Sequence, residues 1–324
     1  MPPKNSDNDD TNIRNPKLIL RTYQPGDREA VNAVFTSTSY ALVLEGIRAK
    51  LWAPMTWILW LFGYTGLMTV VPSTLLGPGP RPESWTEYFL KLFISAAWAA
   101  IGFAILFLKT ERYDLRDMVE EGRENDLSDP EVYYLNYEIN EEGERVRKPA
   151  SEQLPSHFWV LSVDGQVIGM AGLAMYEERV LSKRKPLGTP MQELCASIYR
   201  KYGLSVPRFC QPKMSYRVFA EATGNKLAVL QRLAIENDYQ SCGLSTLLIN
   251  RVMTFANENG IEEVLATTNE MTMAAEQVLI KRHGFKQVEK EKTLMGNYQA
   301  LLTCNVKKWM EEHGEQTKSY IKKV

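Results

Sequence analysis

The segment Gln240-Ser241-Cys242-Gly243-Leu244-Ser245 has the residue types and the setting to do chemistry. It is a short run of small and polar residues between an apolar run, Lys226–Glu236, and an amphipathic one, Ser245–Asn259, with Leu247, Leu248, Val252 and Phe255 on one side. A strand that turns through small residues into a helix presents bare backbone N–H groups, and the helix dipole adds partial positive charge there. The chemistry such a turn performs is to hold a phosphate chain. The other reactive side chains form no comparable cluster. His157, His283 and His313 share no motif with a Cys or an Asp, and Cys195, Cys210, Cys242 and Cys304 lack metal-ligand spacing, so no metal site is expected. Nor do the cysteines form a dense disulfide framework, which points to a reducing compartment. A net charge of −1 gives no electrostatic case for nucleic acid.

The elements that must position the turn follow from periodicity. Lys226–Glu236 predicts a strand and Ser245–Asn259 a helix that Gly260 caps. Glu263–Thr268 predicts a second strand, Met271–His283 a second helix stopped by Gly284, and Phe285–Lys292 with Tyr298–Val306 a final antiparallel pair. Upstream, His157–Val163 and Gln166–Ala174 flank Asp164-Gly165, a strong two-residue hairpin signal. Leu18–Tyr23 predicts a first strand, broken by Pro25-Gly26-Asp27 before a helix near Arg28. These parts predict an α/β (α+β) fold with a mixed central sheet flanked by helices.

Two charge-free runs interrupt this domain. Leu51–Leu76 and Leu92–Leu108 contain no charged side chain and are separated by Gly77-Pro78-Gly79-Pro80-Arg81-Pro82. A bilayer core of ~30 Å needs roughly 20 apolar residues in a helix. The expectation is an inserted two-helix transmembrane hairpin, with Ala96, Ala100 and Ala104 as a small-residue stripe for close helix packing. Arg48 and Lys50 before the hairpin, and Lys109, Arg112 and Arg116 after it, place both termini and the soluble part in the cytoplasm by the positive-inside rule. The predicted organisation is a disordered leader at 1–17, a first strand and helix at 18–39, the hairpin at 40–110, the rest of the domain at 111–308 with an insertion at 176–225, and a polar tail at 309–324. Glu131–Lys148 is expected to be an acidic, irregular connector.

The strand, the turn, the amphipathic helix and the Gly284-Phe285 end of the next helix, in this order, resemble the GNAT superfamily of N-acetyltransferases. The family's Arg/Gln-x-x-Gly-x-Gly/Ala pattern is matched at Gln240 and Gly243 and imperfectly at Ser245. The interruption by a hydrophobic hairpin resembles the membrane-bound cysteine-S-conjugate and lysine N-acetyltransferase branch, which is bound to the endoplasmic reticulum. The resemblance implies acetyl-CoA as co-substrate. Its pyrophosphate would lie on the amides of Ser241, Cys242, Gly243, Leu244, Ser245 and Thr246 beside Gln240, and its pantetheine along Leu233–Ile235. It also implies direct transfer of an acetyl group to an amine of a small molecule or protein. Where many members carry a general-acid Tyr, this chain has Ile280. Tyr298 is a candidate substitute for the acid; Glu236 and Asn269, at the strand ends, are candidates for the base. The departure at Ile280 leaves a second function open, an acyl-CoA-binding membrane module without transfer activity.

Overall fold

The computed structural model describes residues 17–76, 85–184, 188–211, 216–224 and 226–321. Most of the expected leader, the expected loop Gly77–Pro82 and Lys185 of the insertion lie outside these residues. Strand β1 (Leu18–Thr22) leads into α1 (Arg28–Ala41) and α2 (Val43–Leu51). Asp27 sets the start of α1: its carboxylate pairs with Arg21 at 2.6 Å and accepts the Gln24 amide at 2.9 Å.

Helices α3 (Pro54–Leu76) and α4 (Trp85–Lys109) form the apolar pair. At ~1.5 Å per residue each exceeds the ~30 Å of a bilayer core. Only 6% and 11% of their apolar windows are buried by the rest of the chain. The two helices lock through aromatic rings laid over glycines. A Cβ on Gly102 would lie 2.5 Å from the Trp60 ring, and one on Gly63 would lie 2.8 Å from Trp98. Tyr64 Oη and Ser95 Oγ bond across the pair at 2.9 Å. Ala96, Ala100 and Ala104 are exposed on the outer face. The expected small-residue stripe is therefore not the packing seam, because glycine admits an indole where alanine would not.

Helix α4 continues through a π-helical turn, Thr110–Leu115, into α5 (Arg116–Glu124). At this neck the Lys50 ammonium is buried, donates to Thr110 Oγ1 at 3.0 Å and pairs with Asp114. The segment expected to be irregular instead holds α6 (Pro130–Tyr134) and the small hairpin β2 (Tyr137–Ile139) and β3 (Arg145–Arg147). Burial of Tyr134 anchors the helix, and the Asn140 side chain, accepting the Glu142 and Glu144 amides, tightens the turn.

The long hairpin β4 (His157–Val163) and β5 (Gln166–Ala174) turns at Asp164 and Gly165, both at positive φ (50° and 88°), as a two-residue turn requires. The expected insertion contains β6 (Val180–Leu181), α7 (Pro190–Lys201) and β7 (Val218–Ala220). Cys195 and Cys210 are disulfide-bonded there, with Cα atoms 5.9 Å apart, a pairing that spacing alone did not indicate. It runs against the expected reducing compartment, because structural disulfides persist in oxidising ones. The chain closes with β8 (Leu227–Ile235), α8 (Leu244–Glu258), β9 (Glu263–Asn269), α9 (Met273–His283), β10 (Lys286–Lys292), β11 (Tyr298–Asn305) and α10 (Val306–Ile321). Residues 309–321 thus belong to a helix where a polar tail was expected over 309–324, because Trp309 is buried in the core and stacks on His313 at 4.8 Å.

The large sheet has seven strands in the order β1-β4-β5-β8-β9-β11-β10, all antiparallel except β8 with β9. Its central strands read as continuous apolar runs because both faces are covered. Trp159, Leu161 and Leu173 pack with Leu248, Val252 and Trp309 on one face. Phe158, Val160 and Met170 pack with Val31, Phe35, Ile47 and Val119 on the other.

Candidate active site

The two parallel strands part company halfway. β8 and β9 pair only from Leu227↔Glu263 to Leu230↔Ala266. Beyond that point β8 continues to Ile235 and β9 to Asn269 without pairing to each other, although β9 stays bonded to β11 as far as Asn269↔Gln299. A V-shaped opening results, with main-chain groups along its walls. Unpaired backbone donors and acceptors are obligatory bonding groups, so an extended ligand laid between the walls can complete the ladder.

The wall formed by β8 carries a bulge. Gln231 pairs with Gly172 and Ala234 with Met170, so Arg232 and Leu233 together oppose Ala171. Arg232 sits at φ 53°, in the left-handed region. Its guanidinium makes a two-pronged bond to Asp126, at 2.8 Å from Nε and 2.7 Å from Nη2. Asp126 is fully buried. Tyr134 donates to the same carboxylate at 2.5 Å and lies 2.9 Å from Gln231 Oε1, which Tyr176 reaches at 3.1 Å. Gly122 leaves room for the guanidinium: a Cβ there would come within 3.0 Å of Arg232 Cζ. Burial disfavours the charge on Arg232, but Asp126 outweighs it by charge and hydrogen bonds and holds the Arg232 pKa above its ordinary value. Burial, then the Asp126 charge, pushes Tyr134 and Tyr176 upward. None of Asp126, Tyr134, Tyr176, Gln231 and Arg232 stood out as a site residue in the sequence. The available signal was Gln231-Arg232, two polar residues inside an otherwise apolar strand.

The turn lies at the mouth of the V. Gly243 is at φ 78° and Ser241 at φ 64°, and a Cβ on Gly243 would meet open space. Thr246 N–H is already given to Gly243 O at 3.0 Å. Among the described residues, the amides of Ser241, Cys242 and Gly243 donate to no other group. Gln240 folds inward, its side chain donating to Ile235 O and Asn237 Oδ1 at 2.9 Å each, so it braces the turn. Leu233 and Leu244 pack against the core, while Cys242 is an exposed free thiol.

The three candidate proton-transfer residues are differently committed. Asn269 Oδ1 accepts the Met271 and Thr272 amides at 3.0 and 3.2 Å, shaping the entry to α9. Tyr298 donates to Glu276 at 2.6 Å, and Lys290 meets the same carboxylate at 2.9 Å. Burial, then this bond, pushes the Tyr298 hydroxyl upward. Glu236, at the end of β8, has one buried carboxylate oxygen without a partner among the described residues. Ile280 is partly exposed on α9. A cavity of about 640 Å³ lies at the opposite end of α8, beside Thr22, Arg147, His157, Phe255 and Asn259. It is remote from the turn, and the parting of the strands is the better guide to the site.

The sequence model described as the acetyltransferase (GNAT) family matches residues 112–285. That span runs from just after the apolar pair to the Gly284-Phe285 stop. No curated protein matches the chain. Among solved structures, a GNAT-family acetyltransferase from Staphylococcus aureus Mu50 is 10% identical, with a TM-score of 0.39, over 90% of this chain and 99% of its own. FeeM, an N-acyl amino acid synthase from uncultured soil microbes, is 12% identical, with a TM-score of 0.35, over 92% and 95%. The ribosomal-protein-S18-alanine N-acetyltransferase from Escherichia coli is 13% identical, with a TM-score of 0.29, over 55% and 86%.

Proposed function

The chain belongs to the GNAT acetyltransferase family and is an acyltransferase, and from that premise we propose that it is a membrane-anchored N-acetyltransferase using acetyl-CoA. The observation that carries the reading is the opening between β8 and β9 above a turn with bare amides. The pyrophosphate rests on the amides of Ser241, Cys242 and Gly243 at the N-terminus of α8, Thr246 N–H being already given to Gly243 O. The pantetheine arm completes the ladder along Leu233–Ile235, and the bulge aims a backbone N–H at the thioester carbonyl, where charge develops.

The amine attacks the thioester carbon, the carbon–sulfur bond breaks, and coenzyme A leaves as a thiolate that takes up a proton. Holding both reactants in one cleft can supply ~7 kcal/mol or more of the acceleration. Of the three candidates, Glu236 has a carboxylate oxygen free to accept the amine's proton. Asn269 and Tyr298 are occupied by their own neighbours. At Ile280 no side chain can protonate the thiolate, so water serves.

The apolar pair crosses the bilayer, which its length and its bare surface support. The basic residues at its ends favour a cytoplasmic active site on the endoplasmic reticulum, the location implied by the resemblance to the membrane-bound branch. The Cys195–Cys210 bond favours a second reading, with the soluble part on the oxidising, luminal side. Protease accessibility of the soluble part in sealed microsomes separates the two.

The test of the activity is thiol release from acetyl-CoA by the full chain in vesicles, with a panel of amines including lysine peptides and S-substituted cysteines. Release that depends on an amine supports the enzyme. Binding of acetyl-CoA without release for every amine favours a non-catalytic acyl-CoA-binding module and overturns the proposal.

A further inference from the structure

Helix α7 is amphipathic the wrong way round. Met191, Leu194, Ile198 and Tyr202 recur at helical spacing, and they are 74%, 56%, 49% and 72% exposed. The opposite side, which faces the rest of the chain, is small and polar: Ala196 is buried, and Glu193 accepts a hydrogen bond from Tyr113 at 2.9 Å. A helix solvated on its outer face would show the reverse pattern. The Cys195–Cys210 bond ties the following loop back against the helix and adds exposed Leu204 and Phe209 to the same segment.

The position of this surface says what covers it. Tyr113 lies four residues beyond Lys109, where α4 ends. At ~1.5 Å per residue, that is roughly 6 Å along the same continuous helix. The Tyr113–Glu193 bond therefore pins α7 about one helical turn from the plane in which the charge-free run of α4 stops. Arg200, Lys201 and Arg208 are exposed at the end of α7 and in the tied loop, where they match anionic headgroups.

We propose that α7 and the disulfide-tied loop 202–210 lie in the interfacial layer of the bilayer that α3 and α4 cross, as a third, non-spanning membrane contact. The apolar stripe enters the acyl boundary and the basic residues meet the headgroups. The proposal rests on the membrane reading of α3 and α4. It assigns the extra segment between β5 and β8 a role in fixing the soluble domain flat against the membrane.

The test is lipid photo-crosslinking by the full chain in vesicles of mixed phosphatidylcholine and phosphatidylserine. Four variants each carry one probe: Leu194→p-benzoylphenylalanine, Ile198→p-benzoylphenylalanine, Phe62→p-benzoylphenylalanine on exposed α3, and Glu258→p-benzoylphenylalanine at the far end of α8. All four positions are exposed, so folding is not at stake. The expected result is phospholipid adducts at Leu194 and Ile198 exceeding those at Glu258 by about tenfold, as for an interfacial helix. Adducts at Phe62 without adducts at Leu194 and Ile198 overturn the proposal and leave the hairpin standing. Adducts from Leu194 to a second protein molecule overturn it in favour of a protein interface. Absence of lipid adducts at Phe62 overturns the membrane reading and this inference with it.

Discussion

Removing the carboxylate of Asp126 strands the Arg232 guanidinium. Asp126 is fully buried and the Arg232 side chain is 15% exposed, so little water can replace the lost partner. Breaking one side of a buried, hydrogen-bonded ion pair costs about 3–5 kcal/mol. Loss of the Tyr134 bond to the same carboxylate adds about 1 kcal/mol. Relaxation of Arg232 from its left-handed backbone returns about 1 kcal/mol. Asp126→Ala is therefore expected to lower stability by about 3–5 kcal/mol, a large share of the ~5–15 kcal/mol of a typical domain. Asp126→Ala combined with Arg232→Met removes both charges, and its stability is expected to return to within about 1–2 kcal/mol of the parent. Acetyl-CoA affinity is expected to fall in both variants, because each has lost the Asp126–Arg232 pair that holds the bulge. Urea titration of the full chain in vesicles, followed by coenzyme A titration of each variant, reads both effects. A loss below about 1 kcal/mol in Asp126→Ala refutes the reasoning, since that is the range of a solvated surface pair.

Glu236→Gln is expected to lower the rate of amine acetylation by about 100-fold while leaving coenzyme A affinity unchanged. Tyr298→Phe, by contrast, is expected to lower stability by about 1–3 kcal/mol through Glu276 and to leave the rate per folded molecule within a few-fold. Stability should also fall in weak acid. Burial, then Arg251 and Arg147, holds His157 at about 4, and burial, then His313 and Arg282, holds His283 at about 4, against an ordinary 6.5. Below 6.5 the unfolded chain takes up protons that the folded chain refuses. The stabilisation is thus complete above 6.5 and is lost as pH falls toward 4. Urea midpoints that do not fall between pH 7 and pH 5, or that fall as steeply in His283→Phe, would contradict this. Gly102→Leu drives a side chain into Trp60 and should slow disulfide formation between Tyr64→Cys and Ser95→Cys, read on a non-reducing gel.

The parts of the molecule that were legible in its sequence are those with local signals. Asp164-Gly165 announced its hairpin, Gly260 and Gly284 their helix ends, and the small residues after β8 the turn into α8. What stayed hidden depends on distant partners. Arg232 gains its meaning from Asp126, 106 residues away, and the bulge is a mismatch between two strands, visible in neither alone. Trp309 belongs to the core because it packs in one cluster with Leu161, Leu248 and Val252, far away in sequence, with His283 and His313 stacked beside it, so α10 read as a polar tail. The helix seam fell on Gly63 and Gly102 because each faces an indole on the other helix.

The most direct test of the account is calorimetric titration of acetyl-CoA into the full chain and into Gly243→Asp. At this position a side chain meets open space but must adopt φ 78°, and its carboxylate enters the anion site. Two like charges ~5 Å apart repel by about 3 kcal/mol at an effective dielectric of ~20. The account predicts measurable binding by the parent chain and an affinity at least about 100-fold weaker in Gly243→Asp. Equal affinity in the two would contradict the claim that the turn before α8 holds the cofactor.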